Sequence, residues 1–169
     1  MRPAVPSPRG GIWAAGAAAL AGVLALAGCG GNDGGKSDAG AKPRLSVGGA
    51  FMPQPVTAAM AAGFLTVTNE GGADTLTSVS SELSDSVTLH TTDGGSMKEK
   101  DSFTVPAHGR LDFGRGGNHL MFGKLARLPR QGDTVRITLH FERSGAVRVA
   151  VPVKSATYQP GRPSRPTSP

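Results

Sequence analysis

The triplet His119-Leu120-Met121 is the part of this sequence whose residue types and spacing best suit a metal ion. On a β-strand, residues two apart project from the same face. An imidazole and a thioether would then lie side by side, while Leu120 points the other way, into a core. Because a methionine on a strand is commonly a packing residue, the triplet predicts a metal site only if further ligands lie nearby.

Two residues upstream of the triplet could complete such a site. His90 ends an alternating apolar and polar segment, and Met97 follows the glycine-rich turn at residues 92–96. If that turn forms a hairpin, His90 and Met97 come close together. The candidate metal ligands are therefore His90, Met97, His119 and Met121.

The remaining histidines and methionines of the mature chain carry weaker signals. His108 falls in a turn and His140 on the polar side of an alternating strand, so both are predicted to be ordinary polar residues. Met52 and Met60 fall in what the pattern predicts to be a loop after the first strand. They are retained only as accessory ligands.

The chemistry of the four candidate ligands indicates which metal they would hold. Thioether sulfur is soft and uncharged and, together with imidazole, suits Cu(I), whereas Ca²⁺ and Mg²⁺ prefer oxygen and structural Zn²⁺ prefers thiolate or more histidine. Cys29 is the only cysteine, so the domain has no thiolate ligand and no internal disulfide. Methionine and histidine release copper more readily to a thiolate acceptor than thiolates would. The residues therefore favour a carrier of one Cu(I) per chain.

Catalytic motifs are missing from the sequence. Gly95-Ser96-Met97 lacks the following glycine of a nucleophile elbow, and Gly114-Arg115-Gly116-Gly117 lacks the spacing and the flanking strand and helix of a phosphate-binding loop. Acidic residues fall singly in turns and on polar faces, which gives no carboxylate pair. We expect a protein that is not an enzyme.

The N-terminus has the pattern of an export signal. Arg2 and Arg9 precede an uncharged, alanine-rich run that ends in Leu26-Ala27-Gly28-Cys29, which resembles the lipobox of bacterial lipoproteins. In that chemistry Cys29 receives a diacylglycerol and becomes the new N-terminus. The alternative is an uncleaved membrane anchor, since the run approaches the ~20 residues that a span needs. The pattern predicts an exported protein, lipid-anchored to the outer face of the cell membrane.

Composition divides the chain into four parts. Residues 1–28 are the predicted signal peptide, and residues 29–42 are the lipidated cysteine with a flexible glycine-rich linker. Residues 155–169 have proline at every third position from Pro160, which predicts a disordered, polyproline-like tail. The 43–154 segment suits one domain. Without Arg2 and Arg9 the formal charge falls from +6 to about +4 with no basic cluster, so nucleic acid is not an expected partner.

Within 43–154 the hydrophobic pattern has a period of two. Apolar and polar residues alternate along 135–142 and again along 147–153, and turn sequences separate such runs. Short strands without an amphipathic helix predict an antiparallel sandwich or barrel. The pattern alone does not separate an immunoglobulin-like topology from a cupredoxin-like one.

These residues together resemble the PCu(A)C family of periplasmic copper chaperones. That family's motif is a His, then a Met, then 21 residues, then HxM, and here residues 98 to 118 separate Met97 from His119. The resemblance covers roughly residues 44 to 153 and includes Gly63 to Asn69, Val105-Pro106-Ala107 and Gln131 to Val135. Two features differ: six residues rather than ten separate His90 from Met97, and Thr91 follows His90 where the family often has Met.

The resemblance implies a fold and a function. The fold would be a cupredoxin-like, antiparallel Greek-key β-sandwich. The function would be delivery of Cu(I) towards the Cu(A) centre of cytochrome c oxidase, with an oxidase subunit or a Sco-type protein as acceptor. The tail has neither His nor Met, so a second copper site is not expected. The alternatives are a metal-free immunoglobulin-like interaction lipoprotein and a copper storage or resistance protein.

The predicted anchor can be tested by replacing its only attachment residue. Cys29→Ala should leave an unprocessed precursor that incorporates no lipid, because no other thiol is present. Metabolic labelling with radioactive palmitate in a bacterial host measures this directly. A wild-type protein that never carries the label would contradict the anchor.

Overall fold

The computed structural model describes residues 40–161, and in this range the chain forms ten β-strands and no α-helix. No helix among these residues has the length and apolarity needed to cross a bilayer. The predicted signal peptide, Cys29 and most of the linker lie outside the described residues, as does the tail from residue 162. The strands are β1 (Leu45–Pro53), β2 (Met60–Asn69), β3 (Asp74–Ser81), β4 (Ser86–Asp93), β5 (Ser96–Lys100), β6 (Phe103–Val105), β7 (Arg110–Phe113), β8 (His119–Gly123), β9 (Thr134–Phe141) and β10 (Gly145–Lys154).

All ten strands belong to one hydrogen-bonded sheet. Its order is β5-β4-β8-β2-β1-β10-β9-β3-β6, and β7 pairs with β2 as well. Neighbouring strands are antiparallel except β1 and β10, which pair in parallel at Met52 and Val153. Strands distant in sequence, such as β2 and β8, lie side by side, so the chain crosses over between them. The predicted all-β class is confirmed.

Within residues 40–161 the buried apolar side chains form one hydrophobic core, and many of them come from strands with a period-two pattern. Val135, Ile137, Leu139 and Phe141 of β9 are all buried, as predicted. In β10 the alternation is only partly expressed, because the first half of that strand is more exposed than the second. The same core receives Leu120 and Phe122 of β8, which places the inner side of the candidate site against packed apolar side chains.

The prediction of a loop around Met52 and Met60 is wrong. Met52 lies in β1 and is fully buried in the core, and Met60 is the first residue of β2. A register shift between Gly48 and Phe51 interrupts the pairing of β1 with β2. Such a bulge breaks the strict alternation of side chains, so β1 lacks the pattern by which a strand is recognised in sequence.

The packed domain continues past Lys154, where the proline spacing predicted that the tail begins. The ring of Tyr158 packs edge-on against Phe51, with centroids 5.0 Å apart. Arg115 donates hydrogen bonds to the carbonyl oxygens of Ala156 and Tyr158. These contacts fix the segment that follows β10 against the body of the domain.

The carboxylate of Asp74 joins two turns at one end of the domain. Although only 2% of Asp74 is exposed, its oxygens accept hydrogen bonds from the backbone N–H groups of Thr75, Arg143 and Ser144 and from the Ser144 hydroxyl. Burial raises the pKa of this carboxyl, but the Ser144 hydroxyl and the three backbone donors outweigh burial and hold the pKa below its usual range.

A carboxyl whose pKa is lowered by folding stabilises the protein above its unfolded-state pKa and loses that contribution as pH falls. Asp74→Asn should therefore lower the free energy of unfolding at pH 7 by about 1–3 kcal/mol. The difference from wild type should narrow as pH falls from the unfolded value near ~3.9 towards the lower folded value. Urea denaturation of both proteins at pH 7 and at acid pH measures it, and a difference that stays constant would contradict this role.

Candidate metal-binding site

The hairpin predicted between His90 and Met97 is present. Gly94 and Gly95 form its two-residue turn with φ of 55° and 83°, both in the left-handed region that glycine tolerates. Met97 of β5 lies opposite Thr92 of β4, and His90 lies opposite Glu99. His90 and Met97 are thus diagonal neighbours on one face, a relation in which Cα atoms are typically about 7–8 Å apart. The six-residue interval is therefore compatible with a shared face.

Strand β8 brings the other two candidates to the same face. It pairs with β4 so that His119 lies directly opposite His90, and Met121 directly opposite Thr88. The two imidazole rings stack, with centroids 5.6 Å apart and planes inclined by 25°. The structure therefore places His90, Met97, His119 and Met121 on one face of three adjacent strands.

The four side chains differ in their access to solvent. His119 is 6% exposed, whereas Met97 is 62% exposed and lies in β5, the last strand at one end of the sheet. His90 and Met121 are half-buried. Leu120 is fully buried on the opposite face, as the alternation predicted. The candidate site thus extends from a buried imidazole to an exposed thioether.

Hydrogen bonds hold each imidazole in a defined orientation. Nδ1–H of His119 donates to the carbonyl oxygen of Gly117 at 3.0 Å. Nε2 of His90 lies 2.8 Å from the hydroxyl oxygen of Thr88, while its Nδ1 is buried and has no hydrogen-bond partner among residues 40–161. A buried polar atom without a hydrogen-bond partner is uncommon in proteins and calls for an explanation. A metal ion that has yet to bind is one such explanation.

The structure distinguishes the two candidate accessory ligands, Met52 and Met60. Met60, 60% exposed, lies opposite Gly123 and two residues from Ala62, which faces Met121. It therefore borders the candidate site and remains a candidate accessory ligand. Met52, in the core, does not reach this face.

His108 and His140 lie outside the shared face, as the sequence predicted. His108 is in a turn with φ of 50°, and His140 shares a hydrogen bond with the Ser80 hydroxyl on the outer side of β9. Among residues 40–161, no group of three His, Cys, Asp or Glu side chains is placed to hold a metal ion.

The sequence analysis missed two residues that lie next to the candidate ligands. The Thr88 hydroxyl forms a hydrogen bond with the His90 imidazole. Glu99 lies directly opposite His90 on the edge strand β5. The alternation of residues 87–90 did place Thr88 and His90 on one face. The hydrogen bond between them depends on side-chain torsions that the pattern does not contain.

Solved structures similar to this domain include PCuAC domains and a protein from Deinococcus radiodurans. The "apo PmoF2 PCuAC domain" superposes with a TM-score of 0.60 at 22% identity, covering 68% of this chain and 92% of that one. "Solution structure of CuI-DR1885 from Deinococcus Radiodurans" describes another, with a TM-score of 0.58 at 31% identity, covering 73% and 86%. The domain therefore has the cupredoxin-like β fold of PCuAC domains.

Sequence comparison gives the family. A family model described as "Putative lipoprotein LpqE-like" matches residues 45–153, and the chain belongs to this LpqE-like lipoprotein family. A relative in Leifsonia xyli subsp. xyli (strain CTCB07), "Putative lipoprotein Lxx21020", is 34% identical over 101 residues. That match covers 56% of this chain and 61% of the relative, less than two thirds of its length.

Because Leu120 and Met121 lie on opposite faces of β8, substitutions at these two neighbours should lower stability by very different amounts. Leu120→Ala should lower the free energy of unfolding by about 2–5 kcal/mol, because it leaves a cavity in the core. Met121→Ala, the matched control on the site face, should cost under about 1 kcal/mol, because Met121 is only half-buried. Chemical denaturation of the two variants measures both. A larger loss for Met121→Ala would mean that the core depends on the site face.

Proposed function

We propose that this protein is an extracytoplasmic metallochaperone that carries one Cu(I) per chain between His90, Met97, His119 and Met121. The observation that carries the proposal is the shared face of these four side chains, with the two imidazoles directly opposed across β4 and β8. Two imidazoles and two thioethers form a soft, uncharged donor set that suits Cu(I).

Similar solved structures support copper as the cargo. One is described as the "Copper-bound PCuAC domain from PmoF2", with a TM-score of 0.59, and the Deinococcus protein was solved as its CuI form. The first, at 22% identity, supports the fold alone, so the stronger support comes from the second, at 31%. The HxM triplet and the buried Nδ1 of His90, which has no hydrogen-bond partner among residues 40–161, supply the support from this chain itself.

The graded exposure of the ligands suits transfer of the ion rather than storage. An acceptor would reach Met97 first, because this thioether is exposed on the edge strand, while His119 stays buried and anchored to Gly117. A thiolate from the acceptor would replace the weakly bound thioether and then the remaining ligands in turn. This is ligand exchange and requires no catalytic group, consistent with a protein that is not an enzyme.

The proposal includes a place and an acceptor. Membership in a lipoprotein family and the lipobox at Cys29 support export and a lipid anchor on the outer face of the cell membrane. The glycine-rich residues 30–42 would act as a tether of about 20 Å average span. The resemblance to PCu(A)C proteins supports delivery towards Cu(A) of cytochrome c oxidase, through an oxidase subunit or a Sco-type protein.

Metal competition on a soluble chain without the predicted lipid anchor tests the proposal. Residues 30–169 should bind one Cu(I) under reducing conditions and prefer it to Zn²⁺, because the donor set is soft. Met97→Leu, His119→Ala and Met121→Leu should each weaken Cu(I) binding at least about 10-fold, as even the loss of a supporting residue does at metal sites. His140→Ala is the matched control and should bind as wild type does. Equal or tighter Zn²⁺ binding, titrated against a Cu(I) chelator, would exclude the Cu(I) assignment.

A further inference from the structure

We propose that the two imidazoles bind copper through opposite ring nitrogens, Nε2 of His119 and Nδ1 of His90, and that Thr88 is the positioning residue that makes Nδ1 of His90 available. This inference rests on the function proposed above. It adds to that function a residue outside the four ligands and a prediction of which atoms bind. It also predicts the protonation pattern of the metal-free protein.

The assignment for His119 follows from its hydrogen bond to Gly117. A carbonyl oxygen can only accept, so in the neutral ring the hydrogen lies on Nδ1, and Nε2 retains its lone pair. The same carbonyl oxygen accepts a second hydrogen bond, 3.1 Å long, from the backbone N–H of Thr92 in β4. The acceptor that orients His119 is therefore itself fixed by the strand that carries His90.

The assignment for His90 follows from a choice between two arrangements. In one, Nε2–H donates to the Thr88 hydroxyl oxygen, and the buried Nδ1 has a free lone pair. In the other, the hydroxyl donates to Nε2, and the hydrogen on Nδ1 is buried without an acceptor among residues 40–161. A buried donor without an acceptor costs free energy in every state of the protein, whereas a free lone pair can bind a cation. The first arrangement is therefore favoured.

Thr88 is well placed for this role because of the strand register. It lies two residues before His90 on the same face of β4 and directly opposite Met121 of β8. Its hydroxyl oxygen lies 2.8 Å from Nε2 of His90. Histidine ligands commonly donate their second ring N–H to such an acceptor, which fixes the tautomer and the ring orientation.

Nitrogen-15 NMR of the soluble chain, residues 30–169, tests the inference, because a protonated ring nitrogen, a bare one and a metal-bound one have different shifts. In metal-free protein at a pH where the rings are neutral, we expect hydrogen on Nδ1 of His119 and on Nε2 of His90. Addition of Cu(I) should shift Nε2 of His119 and Nδ1 of His90. Coordination of His90 through Nε2 would overturn the assignment.

Substitutions at Thr88 test its part. Thr88→Val removes the hydroxyl and keeps the branched shape, so His90 should lose its single tautomer and Cu(I) affinity should fall by about 10–100-fold. Thr88→Ser should restore both properties. Thr138→Val is the matched control, because Thr138 lies two residues before His140 on β9, as Thr88 does before His90 on β4, and belongs to a strand that carries none of the four candidate ligands. Backbone amide spectra establish that each variant is folded.

The outcomes distinguish this inference from the proposed function. If Cu(I) shifts neither imidazole, the proposed function fails, and the assignment of binding nitrogens fails with it. If Cu(I) shifts both rings but Thr88→Val leaves the His90 tautomer and the affinity unchanged, the function stands and the role of Thr88 is overturned. A wild-type tautomer with hydrogen on Nδ1 of His90 would overturn it as well.

Discussion

The position of β8 between β4 and β2 is the constraint on which the candidate site depends. Leu120 and Phe122 on one face of β8 are fully buried, and this fixes the strand and so the opposite face, which carries His119 and Met121. The fit on the core side is tight. A Cβ at Gly63, the residue of β2 opposite Leu120, would lie 2.9 Å from the Phe122 ring. Core packing and ligand placement are therefore two consequences of one strand pairing.

The candidate site combines a buried, hydrogen-bonded histidine with an exposed methionine. His119 is held by a carbonyl oxygen that also binds β4, whereas Met97 lies on an edge strand whose five residues are all exposed. A protein that only retained a metal would gain from burying every ligand. One that hands the metal on needs a ligand that a partner can displace, and Met97 has the exposure for this role.

The sequence predicted strands best where alternation is regular. It identified the buried side of β9, the burial of Leu120 and the hairpin of β4 and β5, because in each case the period or the glycine turn is local information. It misplaced Met52, because the bulge in β1 disrupts the period, and it began β2 after its first residue, Met60. The contact of Tyr158 with Phe51 joins residues far apart in the chain, so no local pattern indicates it.

The sequence by itself determined the donor types, the all-β class and the presence of one imidazole and one thioether on the same side of β8. These follow from residue chemistry and from the two-residue period of a strand. Only the tertiary structure decided that β4 pairs with β8 so that His90 opposes His119, and that Thr88 bonds one imidazole while Gly117 bonds the other. Pairing partners, strand register and side-chain torsions arise from packing between distant segments, and no local pattern records them.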